Sequence, residues 1–154
     1  MTRLAPLFVC TLALTTGLAS AVELQSDVPD EARAAVATVD RFLAALAAGD
    51  YERAGVELDP DLIVLESGGG EYSAAEYLGG HAKHDAEFLK DAELAPPRRV
   101  ARIGGDLAWV ASEGELRVQK EGEPATYATA ETMVLRSTAA GWKIVHIHWS
   151  SRVK

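Results

Sequence analysis

From Arg98 onward the chain reads as strand after strand. Four apolar, β-rich segments (98–103, 107–118, 127–136 and 142–151) follow one another through short connections. Gly104-Gly105-Asp106, Glu121-Gly122-Glu123-Pro124 and Thr138-Ala139-Ala140-Gly141 supply the turn residues. That pattern predicts four antiparallel strands at the C-terminal end and confines the helices to the N-terminal half. The second strand is long, and Gly114 inside it predicts a bend or bulge.

The N-terminal half carries the helical signals. Asp27 is placed to cap a helix, with Pro29, Asp30 and Glu31 in its first turn. Val36, Val39, Phe42, Leu43 and Leu46 then recur at helical spacing, and Gly49 stops the run. Asp50 caps a second, short helix that ends near Asp59-Pro60. Residues 62–65 form a short apolar strand, and Ser67-Gly68-Gly69-Gly70 a turn. Ser73-Ala74-Ala75-Glu76 is a capping box, which predicts a third helix running to about Lys90. Helices segregated from an antiparallel sheet make an α+β protein.

The first residues belong to none of this. Arg3 is the only charge before an apolar run from Leu4 to Leu18, which ends at Ala19-Ser20-Ala21. That is the pattern of a secretory signal peptide over 1–21, followed by a polar lead-in over 22–29 and one domain over 30–154. Cleavage after Ala21 predicts a periplasmic or secreted product with no membrane span. It also removes Cys10, the one cysteine, so disulfides and thiolate chemistry are not expected. Loss of Arg3 takes the formal charge from -8 to -9. An acidic chain of this kind is a poor partner for nucleic acid.

The element order, the strand Glu131-Thr132-Met133-Val134-Leu135-Arg136 and the ending Gly141-Trp142-Lys143-Ile144-Val145-His146-Ile147-His148-Trp149-Ser150 resemble the nuclear transport factor 2-like superfamily. Within it the chain is similar to SnoaL-like proteins and to the association (hub) domain of calcium/calmodulin-dependent protein kinase II. The resemblance implies a cone, in which a bent antiparallel sheet wraps a long helix and leaves a pocket at the open end. Members include ketosteroid isomerase, dehydratases, cyclases and scaffolds without catalysis, so fold alone does not choose an activity. Where the hub domain has arginines, this chain has Met133 and Trp149, which argues against an anionic ligand of that type.

Candidate site residues come mainly from the third helix. At helical spacing Tyr77, Leu78, His81, His84, Asp85, Phe88 and Leu89 share one arc. His81 is central, and Asp85 stands one turn later, where a carboxylate can fix the imidazole tautomer and raise its basicity. This makes His81 and Asp85 the candidate catalytic pair, with His81 as general base. Tyr77, His84 and Phe88 are expected to line the pocket, and by the family comparison so are Glu66, Trp109, Glu113, Met133 and Trp149; Glu131 comes from a nearby strand. His81 and His84 with Glu66 or Asp85 offer a nitrogen and oxygen set, but the His-x-x-His spacing demands no metal, and neither metal nor cofactor is expected.

The final strand presents two faces. Val145, Ile147 and Trp149 form the apolar one, expected inside. Ile144, His146, His148 and Ser150 form the other, which places His146 and His148 at a homodimer interface on the outer sheet face. The expected partner in the pocket is a small, largely apolar molecule. The function read from the sequence is binding of that molecule, with an isomerase, dehydratase or cyclase using His81, or a dimeric scaffold without catalysis, as alternatives.

Overall fold

The computed structural model describes residues 26–120 and 122–154, so the expected leader and most of the lead-in lie outside the described residues. A single 3-10 turn, Asp30–Ala32, opens onto helix α1 (Arg33–Ala47). Asp27 does not cap this helix. Its backbone bridges to the sheet instead, with its N–H donating to the Arg99 carbonyl at 2.8 Å and its carbonyl accepting from Ala101 at 3.1 Å. Helix α2 (Tyr51–Glu57) is capped by Asp50, whose carboxylate accepts from the Arg53 N–H at 3.1 Å.

Strands β1 (Leu58–Glu66) and β2 (Gly69–Glu71) form a hairpin. Its two-residue turn needs left-handed backbone at both positions, and Ser67 (φ 50°) and Gly68 (φ 81°) supply it. The expected third helix is two helices: α3 (Ala74–Gly79) and α4 (His81–Leu89). Gly80, with φ -126° and ψ -91°, breaks the run between them. Two consecutive glycines lose more conformational freedom in a helix than any other pair and give no side chain to hold the turn. The capping box does start α3, as the Ser73 hydroxyl accepts from the Glu76 N–H at 3.1 Å.

Strands β3 (Glu93–Leu94), β4 (Arg98–Gly104), β5 (Leu107–Lys120), β6 (Glu123–Thr138) and β7 (Gly141–Val153) complete a seven-stranded sheet. Its order is β2-β1-β7-β6-β5-β3, with β4 also paired to β5. The sheet is mixed, because β1 runs parallel to β7 while the other pairs are antiparallel. No bulge forms at Gly114, where β5 and β6 pair without a register shift. Gly114 instead stands where the partner of β5 changes from β4 to β3.

The shift falls between β6 and β7. Leu135 pairs with Ile144 but Val134 pairs with His146, so Val145 is an extra residue. A bulge of this kind resets the alternation of faces. Ile144 is therefore fully buried together with Ile147, on the side opposite the histidines, and not beside them as strict alternation predicts.

Helix α1 closes the concave face, burying Ala35, Val39, Phe42 and Leu46. Beneath it, cross-strand rows of side chains form the core. Ala101, Val110, Met133, Ile147 and Val64 pair in sequence across β4, β5, β6, β7 and β1, and all five are fully buried.

Candidate functional site

The next cross-strand row on the same face is not apolar. Arg99 on β4 pairs with Ser112 on β5, Ser112 with Glu131 on β6, Glu131 with Trp149 on β7, and Trp149 with Glu66 on β1. These five residues line one wall of a cavity of about 350 Å³. Leu43 of α1, Asp85, Phe88 and Leu89 of α4, and Leu94 and Leu116 complete it, so the walls are mainly apolar. The indole of Trp149 stacks on Phe42 (6.4 Å between ring centres, 17° between planes), and Tyr77 packs against both. The Trp149 N–H donates to Glu131 Oε2 at 2.9 Å, which fixes both side chains.

At the β1 end of the row stands a cluster of ionisable groups. The β1–β2 hairpin places Glu71 opposite Val64, and so on the inward side near Glu66. His81, the first residue of α4, lies between them. Its Nδ1–H donates to Glu71 Oε1 at 2.8 Å. Its Nε2 is 3.7 Å from both Glu66 Oε2 and Asp85 Oδ1. The buried Tyr77 hydroxyl donates to Asp85 Oδ2 at 2.7 Å. Among the described residues Glu66 Oε2 is buried with no hydrogen-bond partner.

This crowding sets the charges. Burial pushes the Glu66 carboxyl up, and the neighbouring Asp85 and Glu71 charges add to that more than His81 offsets. Burial also pushes Asp85 up, against the Tyr77 hydrogen bond and the His81 charge. For His81 burial works downward, but the hydrogen bond to Glu71 and the charges of Asp85, Glu71 and Glu66 outweigh it and leave the imidazole above its ordinary value. The Tyr77 phenol is driven far upward by burial and by Asp85, so it remains a donor. Glu66, His81 and Asp85 each turn one ligand-type atom toward a common point, all within 4.8 Å of one another. That nitrogen and oxygen set is one a divalent first-row cation accepts.

The structure sorts the sequence candidates. Glu66, Asp85, Phe88 and Trp149 line the cavity. His81 does not; its Nε2 is 3.7 Å from both carboxylates and its Nδ1–H bonds Glu71. Tyr77 is fully buried beneath Asp85. His84 is exposed, its ring 6.3 Å from that of His81, because it lies on the side of α4 away from the buried Ala82 and Ala86. Met133 is sealed in the core row below the cavity.

Trp109 and Glu113 lie on the outer face, Trp109 two-fifths exposed and Glu113 paired with Arg98 at 2.9 Å. They alternate with the buried Ala108, Val110 and Ser112, so the family placement had the wrong face of β5. Sequence reasoning passed over Arg99, Ser112 and Asp40, which also line the cavity. Alternation around buried Ala101 and Val110 marks the inward side of Arg99 and Ser112, but only the register shows that they meet. His146 and His148 lie on the outer face, where His146 Nδ1–H donates to the Ile63 carbonyl at 3.0 Å.

A mixed, curled sheet closed by helices over a cavity is the fold of the nuclear transport factor 2-like class. Residues 35–154 match the SnoaL-like domain, and the chain belongs to that family. Among solved structures it is similar to a proposed ketosteroid isomerase from Shewanella frigidimarina, at 34% identity over 76% of this chain and 94% of that one, with a TM-score of 0.72. It is also similar to the CaMKII hub of S. rosetta (25% identity, 78% and 95% covered, TM-score 0.62). A proposed dehydratase from Streptomyces avermitilis shares the fold at 16% identity, with 79% and 96% covered and a TM-score of 0.64. No curated protein matches the chain.

Proposed function

We propose that the cavity binds a small, largely apolar molecule and that Asp85 and Glu66 move a proton on it, as in an isomerisation or dehydration. One observation carries this reading: two carboxyl groups raised by burial stand together at one end of a mainly apolar cavity. Their surroundings differ in a way that divides the roles. The Tyr77 hydroxyl and His81 support ionised Asp85, which is the base. Glu66, whose Oε2 has no hydrogen-bond partner among the described residues, favours the neutral form and is the acid. His81 is a positioning residue that supplies positive charge behind the pair, in place of the direct base role read from the sequence. The similarity to a proposed ketosteroid isomerase and a proposed dehydratase supports proton chemistry.

The test is isomerisation of a β,γ-unsaturated cyclic ketone to its conjugated isomer, followed by ultraviolet absorbance. Asp85→Asn should lower turnover by about two to four orders of magnitude. Unchanged turnover in that variant removes Asp85 from the chemistry. No turnover by the wild type on a ketone that binds leaves a binding protein alone.

A second reading concerns assembly. Ile63, His146, Val134 and Trp109 form one cross-strand row on the outer face, and Ile63, Leu65 and Trp109 are each about two-fifths exposed. The similarity to a hub domain supports self-association, and this row is its proposed surface. The leader-like N-terminus supports export to a periplasm or exterior, which N-terminal sequencing of the product in its host would test.

A further inference from the structure

The far end of the cavity also has unused chemistry. Arg99 is held there with its side chain only 12% exposed. Its Nε–H donates to Ser112 Oγ at 3.0 Å, and Nη1 pairs with Asp40. Nη2 comes no nearer than 3.9 Å to Glu131, too far for a hydrogen bond. Ser112 is buried and accepts from Arg99, and among the described residues its own hydroxyl hydrogen is given to no side chain. Two donors, the Ser112 O–H and Arg99 Nη2, are thus left over at one spot in the cavity wall. Both residues line the cavity, where an acceptor on a ligand can meet these donors.

We infer that this spot anchors a neutral oxygen of the ligand, a ketone or ester carbonyl. The inference rests on the proposed binding cavity and names the class of molecule it takes. A carboxylate does not suit the place, because Asp40 and Glu131 already offset the Arg99 charge and Glu66 and Asp85 stand in the same cavity. Ser112 is separated from Glu66 by two intervening strands, β6 and β7. At about 4.8 Å per strand this is roughly 14 Å along the sheet. The anchor therefore stands at the opposite end of the row from Glu66. It grips one end of an elongated apolar body that lies across Trp149 and presents its other end to the carboxylates.

Three probes of matched shape test this: acetylnaphthalene, naphthoate and ethylnaphthalene, titrated by calorimetry against the wild-type protein and the Ser112→Ala and Arg99→Lys variants. The ketone should bind roughly tenfold tighter than the hydrocarbon, as one or two hydrogen bonds allow, and the carboxylate weakest of all. Ser112→Ala should bring the ketone down to the level of the hydrocarbon while hydrocarbon binding stays as it was. Arg99→Lys should lose part of the ketone preference. Tightest binding of naphthoate overturns the inference in favour of an anion site. A ketone preference that survives both substitutions overturns it as well. Failure of all three probes to bind overturns the cavity reading itself, and the anchor with it.

Discussion

The Tyr77 hydroxyl donates to Asp85 Oδ2 at 2.7 Å, joining α3 to α4 across the Gly80 break. The bond does two things: it satisfies a phenol buried completely, and it leaves Oδ1 of Asp85 free beside His81. Tyr77→Phe removes the donor and strands a largely buried carboxylate oxygen. Stability should fall by about 1–3 kcal/mol in urea unfolding. Asp85, which the hydrogen bond pulls downward, should titrate higher still by carboxyl-carbon NMR. An Asp85 titration that does not rise would show that the hydroxyl is not its partner in solution.

The ionisable cluster predicts an unusual pH dependence. Glu66, Asp85 and His81 are all raised, so the folded chain keeps protons that the unfolded chain releases. Each contribution is complete below the ordinary value, 4.5 for Glu66, 3.8 for Asp85 and 6.5 for His81. Each is lost as pH rises through the raised folded value. Glu66→Gln keeps the shape and removes the ionisation. The variant should therefore gain stability relative to wild type as pH rises above 4.5 and through the raised folded value. A difference that is flat or reversed over that range argues that Glu66 is solvated when ionised.

Met133 distinguishes packing from ligand contact. It sits fully buried between Val110 and Ile147 in the row beneath the cavity. Met133→Ala should cost about 2–5 kcal/mol in chemical unfolding, as core truncations do. At temperatures where the variant is fully folded, affinity for the naphthalene probes should change little. A large loss of affinity with little loss of stability would put Met133 back in the cavity wall.

The outer face gives a prediction that the cavity does not share. Trp109→Glu and Ile63→Lys introduce charges into the outer row at exposed positions. Sedimentation should show the assembly dissociating, while Asp85→Asn leaves it intact. Thermal unfolding measured at low protein concentration should shift little, since exposed substitutions are usually worth less than about 0.5 kcal/mol. A wild-type chain that sediments as a monomer at all concentrations removes the self-association reading.

Much of this fold is written locally, and much of the site is not. The strands from Arg98 onward and the Ser73 cap follow from turn residues and short-range hydrogen bonds, which a linear reading detects. The break in the third helix was present as Gly79-Gly80, but a strong cap and a continuous apolar arc outweighed it. The facing of β5 misled because its outward residues include Trp109 and its inward residues include Ser112, so polarity ran against position. The row from Glu66 to Arg99 is a property of register between strands far apart in the chain, and no window on the sequence contains it. His81 and Asp85 were legible as neighbours at i and i+4. Glu71, which holds the imidazole from the other side, arrives only through the β1–β2 hairpin.

The bulge at Val145 has a consequence for how β7 tolerates change in length. With the extra residue, Ile144 lies inside and His146 outside only because the chain steps out of alternation. A chain lacking Val145 would reach the same two faces by plain alternation and would pair with β6 without a shift. Parity in this strand is thus preserved by omission. Between Ile144 and Trp149, Val145 is the position whose deletion, ordinarily a disruptive edit in a central strand, would leave the indole in the cavity and both imidazoles outside.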